Sequence, residues 1–95
     1  MFYRINRVSF DADNYDSIMA AVESKRELFE SFQGLQNSRI VRISETEAIT
    51  IAEYDTEKNL ENSKNEFAEM MKEMASMFND VDTSYGEKVW HFSRD

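Results

Sequence analysis

The stretch Thr56 to Asn79 most constrains what this chain can fold into. Leu60, Phe67, Met70, Met71, Met74, Met77 and Phe78 recur at three- and four-residue spacing, which places them on one stripe of an α-helix. Glu66, Glu69, Lys72, Glu73 and Ser76 fall largely on the other faces. Such a stripe has to be buried against something, and the rest of the chain supplies a sheet. Thr56 is a good N-cap for a short helical turn through Leu60. Ser63-Lys64-Asn65-Glu66 then reads as a capping box, and Asn59, Asn62 and Asn65 are weak helix formers. The pattern therefore predicts a break near Asn62 and a main helix from about Lys64 to Asn79.

Phe2 to Phe10 is rich in aromatic and β-branched residues and reads as a first strand. Tyr3 and Ile5 fall on one face, and Phe2, Val8 and Phe10 on the other. The cluster Asp11-Ala12-Asp13-Asn14 can cap a helix start. Tyr15, Ile18, Met19, Val22, Phe29 and Phe32 follow at helical spacing, and Gly34 supplies a left-handed terminator after Gln33. Lys25 and Arg26 interrupt this stripe. Either their stems pack while their charges reach water, or they form a cationic anchor for an acidic ligand. Ser38 to Ser44 and Ala48 to Tyr54 read as a hairpin across Glu45-Thr46-Glu47. Tyr85 to Ser93 reads as the last strand, with Gly86 marking a bulge.

The order is strand, helix, strand, strand, helix, strand, the split βαβ arrangement of an α+β, ferredoxin-like fold. Residues 1–95 are expected to form a single domain. Right-handed crossovers put both helices on one face of a four-stranded antiparallel sheet. The strands nevertheless carry apolar side chains on both faces. The economical solution is a homodimer in which two sheets pack face to face. The formal net charge of -8, with no Lys/Arg run, argues against nucleic acid or an anionic membrane as partner. The chain has no cysteine, which removes thiol chemistry. No segment approaches a membrane span, and the N-terminus lacks the apolar run of a signal peptide, so a cytoplasmic location is expected.

The chain resembles the dimeric α+β barrel proteins of the antibiotic biosynthesis monooxygenase type, over nearly its whole length. The resemblance is carried by Arg7-Val8-Ser9-Phe10, by Phe32-Gln33-Gly34-Leu35, and by Ala52-Glu53-Tyr54-Asp55-Thr56-Glu57. Relatives often read Pro-Gly-Phe at the second of these, and this chain has Gln33 in place of the proline. The resemblance implies the dimeric barrel fold and not a particular reaction. Haem-degrading relatives offer a residue test. Asn6 matches their strand asparagine, but Ser63 stands at about the position of their Trp and Glu73 at about that of their axial His. A carboxylate is a poor substitute for a neutral imidazole on haem iron, and no cofactor is expected.

Candidate chemistry is sparse. Trp90 and His91 are the only Trp and His, and a strand would point them to opposite faces. His91 can act as a general base near neutrality, with Asn6 assisting proton transfer; the plain alternative is that both are structural. Phe67, Met71 and Met74, with Trp90 and Tyr54, are the candidate ligand-binding set, since methionines can line a plastic apolar pocket or simply fill a core. Tyr3, Tyr15, Tyr54 and Tyr85 with Arg4, Arg7 and Arg42 contain a candidate phenol-binding constellation. Glu61, Glu66, Glu69 and Glu73 have no accompanying His, so no metal is expected. Three functions follow: binding of a small apolar or aromatic molecule between helices and sheet, cofactor-independent oxygenation of a phenolic or quinol substrate, or a structural or regulatory dimerisation module.

Overall fold

The computed structural model describes residues 1–94. Strand β1 (Phe2–Ser9) is followed by a 3₁₀ turn at Ala12–Asn14 and helices α1 (Tyr15–Glu23) and α2 (Arg26–Ser31). The hairpin β2 (Leu35–Ser44) and β3 (Glu47–Tyr54) comes next, then helix α3 (Glu57–Met74), a 3₁₀ turn at Ala75–Met77 and strand β4 (Asp80–Glu87). The four strands form one antiparallel sheet in the order β2-β3-β1-β4. This is the expected βαββαβ topology.

Register sorts the side chains between the two faces. Arg4, Asn6 and Val8 of β1 lie opposite Ala52, Thr50 and Ala48 of β3, and all six face the helices. Tyr3, Ile5 and Arg7, opposite Glu53, Ile51 and Ile49, face away. Under the helices, one apolar cluster gathers Val8, Phe10, Ile18, Ala48 and Met74. A second gathers Phe32, Tyr54 and Leu60. Each large side chain so buried contributes roughly 1.5–3 kcal/mol. Along β1, Arg4 and Asn6 lie between the two clusters.

Gly34 takes φ 80°, the left-handed terminator expected after α2. Its carbonyl accepts from the Asp55 N–H at 2.9 Å, and a Cβ there would collide with Asp55 and Asn59. The Thr56 hydroxyl accepts from the Asn59 N–H at 3.1 Å and caps α3 as expected.

Three expectations are corrected. The first helix is broken at Ser24 and Lys25, where the Ser24 hydroxyl donates to the Ala21 carbonyl at 2.6 Å and the Lys25 N–H turns back to the Val22 carbonyl at 3.0 Å. A serine bonding its own helix backbone competes with the ladder. Helix α3, by contrast, runs unbroken through Asn62. The propensity cost of its asparagines, up to about 0.7 kcal/mol each, is smaller than the gain from burying Leu60, Met70 and Met74 on either side.

The last strand is Asp80–Glu87, not Tyr85–Ser93, and runs through Gly86 without a bulge. Asn79 N–H bonds Ser9 O at 2.8 Å and Lys88 N–H bonds Met1 O at 2.9 Å. These two bonds bracket a ladder that uses every residue of β1, so residues 89–94 run past the end of the strand that β4 pairs with. None of the described helices is long and apolar enough to cross a membrane.

Candidate functional site

A cavity of about 70 Å³ lies between the helices and the inner face of the sheet. Strand β1 contributes Arg4, Asn6 and Val8 to its wall, α3 contributes Phe67, Met71 and Met74, and β3 contributes Tyr54. The structure thus brings together Asn6, Tyr54, Phe67, Met71 and Met74 from the sequence-derived set. It does not bring in Trp90 or His91, which lie outside the strands on an exposed tail, with Trp90 78% exposed.

The polar end of the cavity is built around Arg4, which is 1% exposed. Its Nη1 donates to the Tyr54 hydroxyl at 3.2 Å and its Nη2 to the Ser63 hydroxyl at 2.6 Å. The Ser63 hydroxyl in turn donates to the Leu60 carbonyl at 2.7 Å. The guanidinium carbon sits 3.9 Å from the Phe67 ring centroid and 5.4 Å from that of Tyr54. Arg4 has no carboxylate in ion-pair range among the described residues, and its Nε, also buried, has no hydrogen-bond partner.

The magnitudes matter here. Taking a charge out of water costs several kcal/mol even after relaxation. Each hydrogen bond to the cation returns about 1.5–3 kcal/mol, and a desolvated cation–π contact about 2 kcal/mol. The neutral surroundings therefore roughly offset burial, while the idle Nε–H adds a further cost of about 1–3 kcal/mol.

Asn6, 2% exposed, is held from both sides. Its Nδ2 donates to Thr50 Oγ1 at 2.9 Å and its Oδ1 accepts from Thr83 Oγ1 at 2.6 Å. The amide is thus locked across β1 between β3 and β4. No Asp, Glu, His or Lys is among the described residues lining the cavity. The arrangement can orient and hold a molecule through Arg4 and Tyr54, and the tyrosine hydroxyls of Tyr15 and Tyr54 are the acid–base groups in its wall. Lys25 and Arg26 lie elsewhere: Lys25 is ion-paired with Glu73 and Arg26 with Glu23 at 2.8 Å.

Arg4 and Ser63 are the residues that sequence reasoning underweighted. The signals were present. Arg4 shares strand parity with Phe2, Val8 and Phe10, and Ser63 sits three residues after Leu60 and four before Phe67, on the apolar stripe.

On the other face of the sheet, Glu53 is 9% exposed. It accepts hydrogen bonds from the Tyr3 hydroxyl, from Asn37 Nδ2 at 3.1 Å and an ion pair from Lys88 Nζ at 3.2 Å. The Tyr3 hydroxyl, with lesser help from Lys88 and Asn37, holds its carboxyl below the usual range against the opposing effect of burial. The same cluster raises Tyr3, chiefly through Glu53, and raises Lys88, chiefly through Tyr3.

No family model matches the chain, and no curated relative does. Solved structures do match. A dimeric ferredoxin-like protein from an uncultured marine organism superposes with a TM-score of 0.83 at 13% identity, covering 99% of this chain and 92% of that one. A Nitrosomonas europaea protein provisionally named an antibiotic biosynthesis monooxygenase gives 0.78 at 15% identity, with 95% and 100% covered. SnoaB, a cofactor-independent oxygenase from Streptomyces nogalater, gives 0.75 at 10% identity, with 95% and 94% covered. Over nearly its whole length, the chain has the fold shared by antibiotic biosynthesis monooxygenase-type and dimeric ferredoxin-like proteins.

Proposed function

We propose that the protein is a homodimeric α+β barrel protein that binds a small apolar or aromatic molecule in the cavity between helices and sheet. The observation that carries this reading is the cavity itself: an apolar chamber with a buried polar end, rather than a core filled by Phe67, Met71 and Met74. At about 70 Å³ it is about half the volume of an engineered cavity that admits benzene. A ring enters only if neighbours move, and methionine, with three rotatable bonds, is the side chain best suited to move.

The dimer reading rests on the uncovered face. Ile5, 38% exposed, lies opposite Ile51, and Val41, 51% exposed, lies opposite Ile49. A patch of this kind in the middle of a sheet fits a second sheet better than water. The comparison with a dimeric ferredoxin-like protein points the same way.

Oxygenation of a phenolic or quinol substrate is carried less far. His91 lies on the exposed tail, and Asn6 is occupied by Thr50 and Thr83. Native mass spectrometry of gently purified protein tests the main reading. A dimer is expected, with a thermal shift on adding small hydrophobic ligands. A monomer at micromolar concentration would remove the sheet-to-sheet pairing, and the absence of any shift across a broad panel would remove the binding site.

A further inference from the structure

We infer that the molecule taken up by the cavity is a small monoanion with an apolar body, a carboxylate or phenolate, whose charged oxygen is held by Arg4. This rests on the binding reading above and names the chemistry of its ligand.

Arg4 has donors that nothing among the described residues meets. A guanidinium offers five N–H groups in a planar fork and no acceptor. In Arg4 only Nη1 and Nη2 are used, each by a neutral hydroxyl. Nε and Nη2 form the side-on edge of the fork, the edge that receives a carboxylate in bidentate pairs. On that edge Nε is unpartnered, and Nη2 has a second proton beyond the one given to Ser63. The Tyr54 hydroxyl accepts from Arg4, and its own proton is available to a second oxygen. Three donors, the Arg4 Nε–H, the second Nη2 proton and the Tyr54 hydroxyl, are therefore left over beside a positive charge at the wall of a chamber that is otherwise chiefly Phe, Met, Val and Ile.

Charge placement supports a single negative group. The chain carries net charge -8, so its surface does not attract anions in general. Lys25 and Arg26 are already neutralised by Glu73 and Glu23. Glu53, a carboxylate on the neighbouring strand, belongs to the residues that face away from the cavity. A neutral apolar molecule would fill the chamber and leave the cation as it stands. A dianion would bring one charge too many into a site with one cation.

The test uses the intact protein and two matched probes, benzoate and the neutral benzamide, with butyrate and butyramide as smaller equivalents. Titration calorimetry should show each anion binding about thirtyfold or more tightly than its amide, the scale on which a buried charge pair is felt. Arg4→Met should lose that preference while keeping whatever affinity the amides have. Arg4→Lys, which keeps the charge and loses the fork, should fall between. In the wild type the Arg4 Nε–H proton resonance should move on adding benzoate and not on adding benzamide. Equal binding of anion and amide, with the Nε–H resonance unmoved, would overturn the anionic ligand and leave the apolar pocket standing. No binding of any probe would overturn both. Circular dichroism of both variants checks that they fold, and the wild-type resonance decides the matter if they do not.

Discussion

Arg4 and Glu53 are both buried charges in the same sheet, one strand apart and on opposite faces, and their surroundings differ completely. Glu53 is met by a phenol, an amide and an ammonium group. Arg4 is met by two hydroxyls and two rings, with Nε left over. A charge whose partners all come from its own chain contributes to folding. A charge held ready but incompletely matched costs stability that a bound partner can return. The contrast separates a charge matched within the chain from one left incompletely matched, and the less well matched of the two is the more deeply buried, at 1% against 9% exposure.

Mutations should divide along the same line. The largest loss is expected for Glu53→Ala, at about 2 kcal/mol in chemical denaturation, because Tyr3, Asn37 and Lys88 lose their common acceptor and recover part of it from water. Arg4→Met should move the other way, gaining about 1 kcal/mol in ligand-free protein, since replacing a poorly compensated buried ion with an apolar chain is commonly neutral or stabilising. If Arg4→Met instead lost as much as Glu53→Ala, the distinction between the two sites would fail. Tyr3→Phe, which removes one donor to Glu53, should cost about 1 kcal/mol.

The smallest effect is on pH dependence. Glu53 has a depressed pKa when folded, so its contribution is present above the ordinary glutamate range and is lost as pH falls through the folded value. Tyr3 and Lys88 are raised, so their contributions are full below their ordinary values and are lost as pH rises through the folded ones. Thermal melts across pH should show Glu53→Gln flattening the acid limb, while Arg4→Met leaves that limb unchanged.

The architecture was legible because it depends on long-range pattern. The α3 stripe, the strands apolar on both faces and Gly34 each had one cheap structural solution, and together they left one topology. The errors came where a local signal competed with a partner far away in sequence. Val89-Trp90-His91-Phe92 looks more like a strand than Asp80-Val81-Asp82-Thr83 does, yet β1 has only enough backbone for Asp80–Glu87. Asn62 looks like a helix break, yet the buried residues on both sides carry the helix through it. The cavity's methionines, Phe67 and Tyr54 were readable from periodicity. The role of Arg4 was not, because an arginine among apolar strand positions gives no indication of whether a carboxylate will meet it.

The displaced C-terminal segment has a spectroscopic consequence. The chain's one tryptophan, Trp90, sits on the tail beyond β4 with Val89 and Phe92, at 78%, 91% and 62% exposure. Its emission in an isolated subunit should resemble that of indole in water and change little when the subunit unfolds. Intrinsic fluorescence, usually read as a gauge of folding, becomes in this chain a gauge of contact: a blue shift that grows with protein concentration would report Trp90 leaving water for a neighbouring molecule.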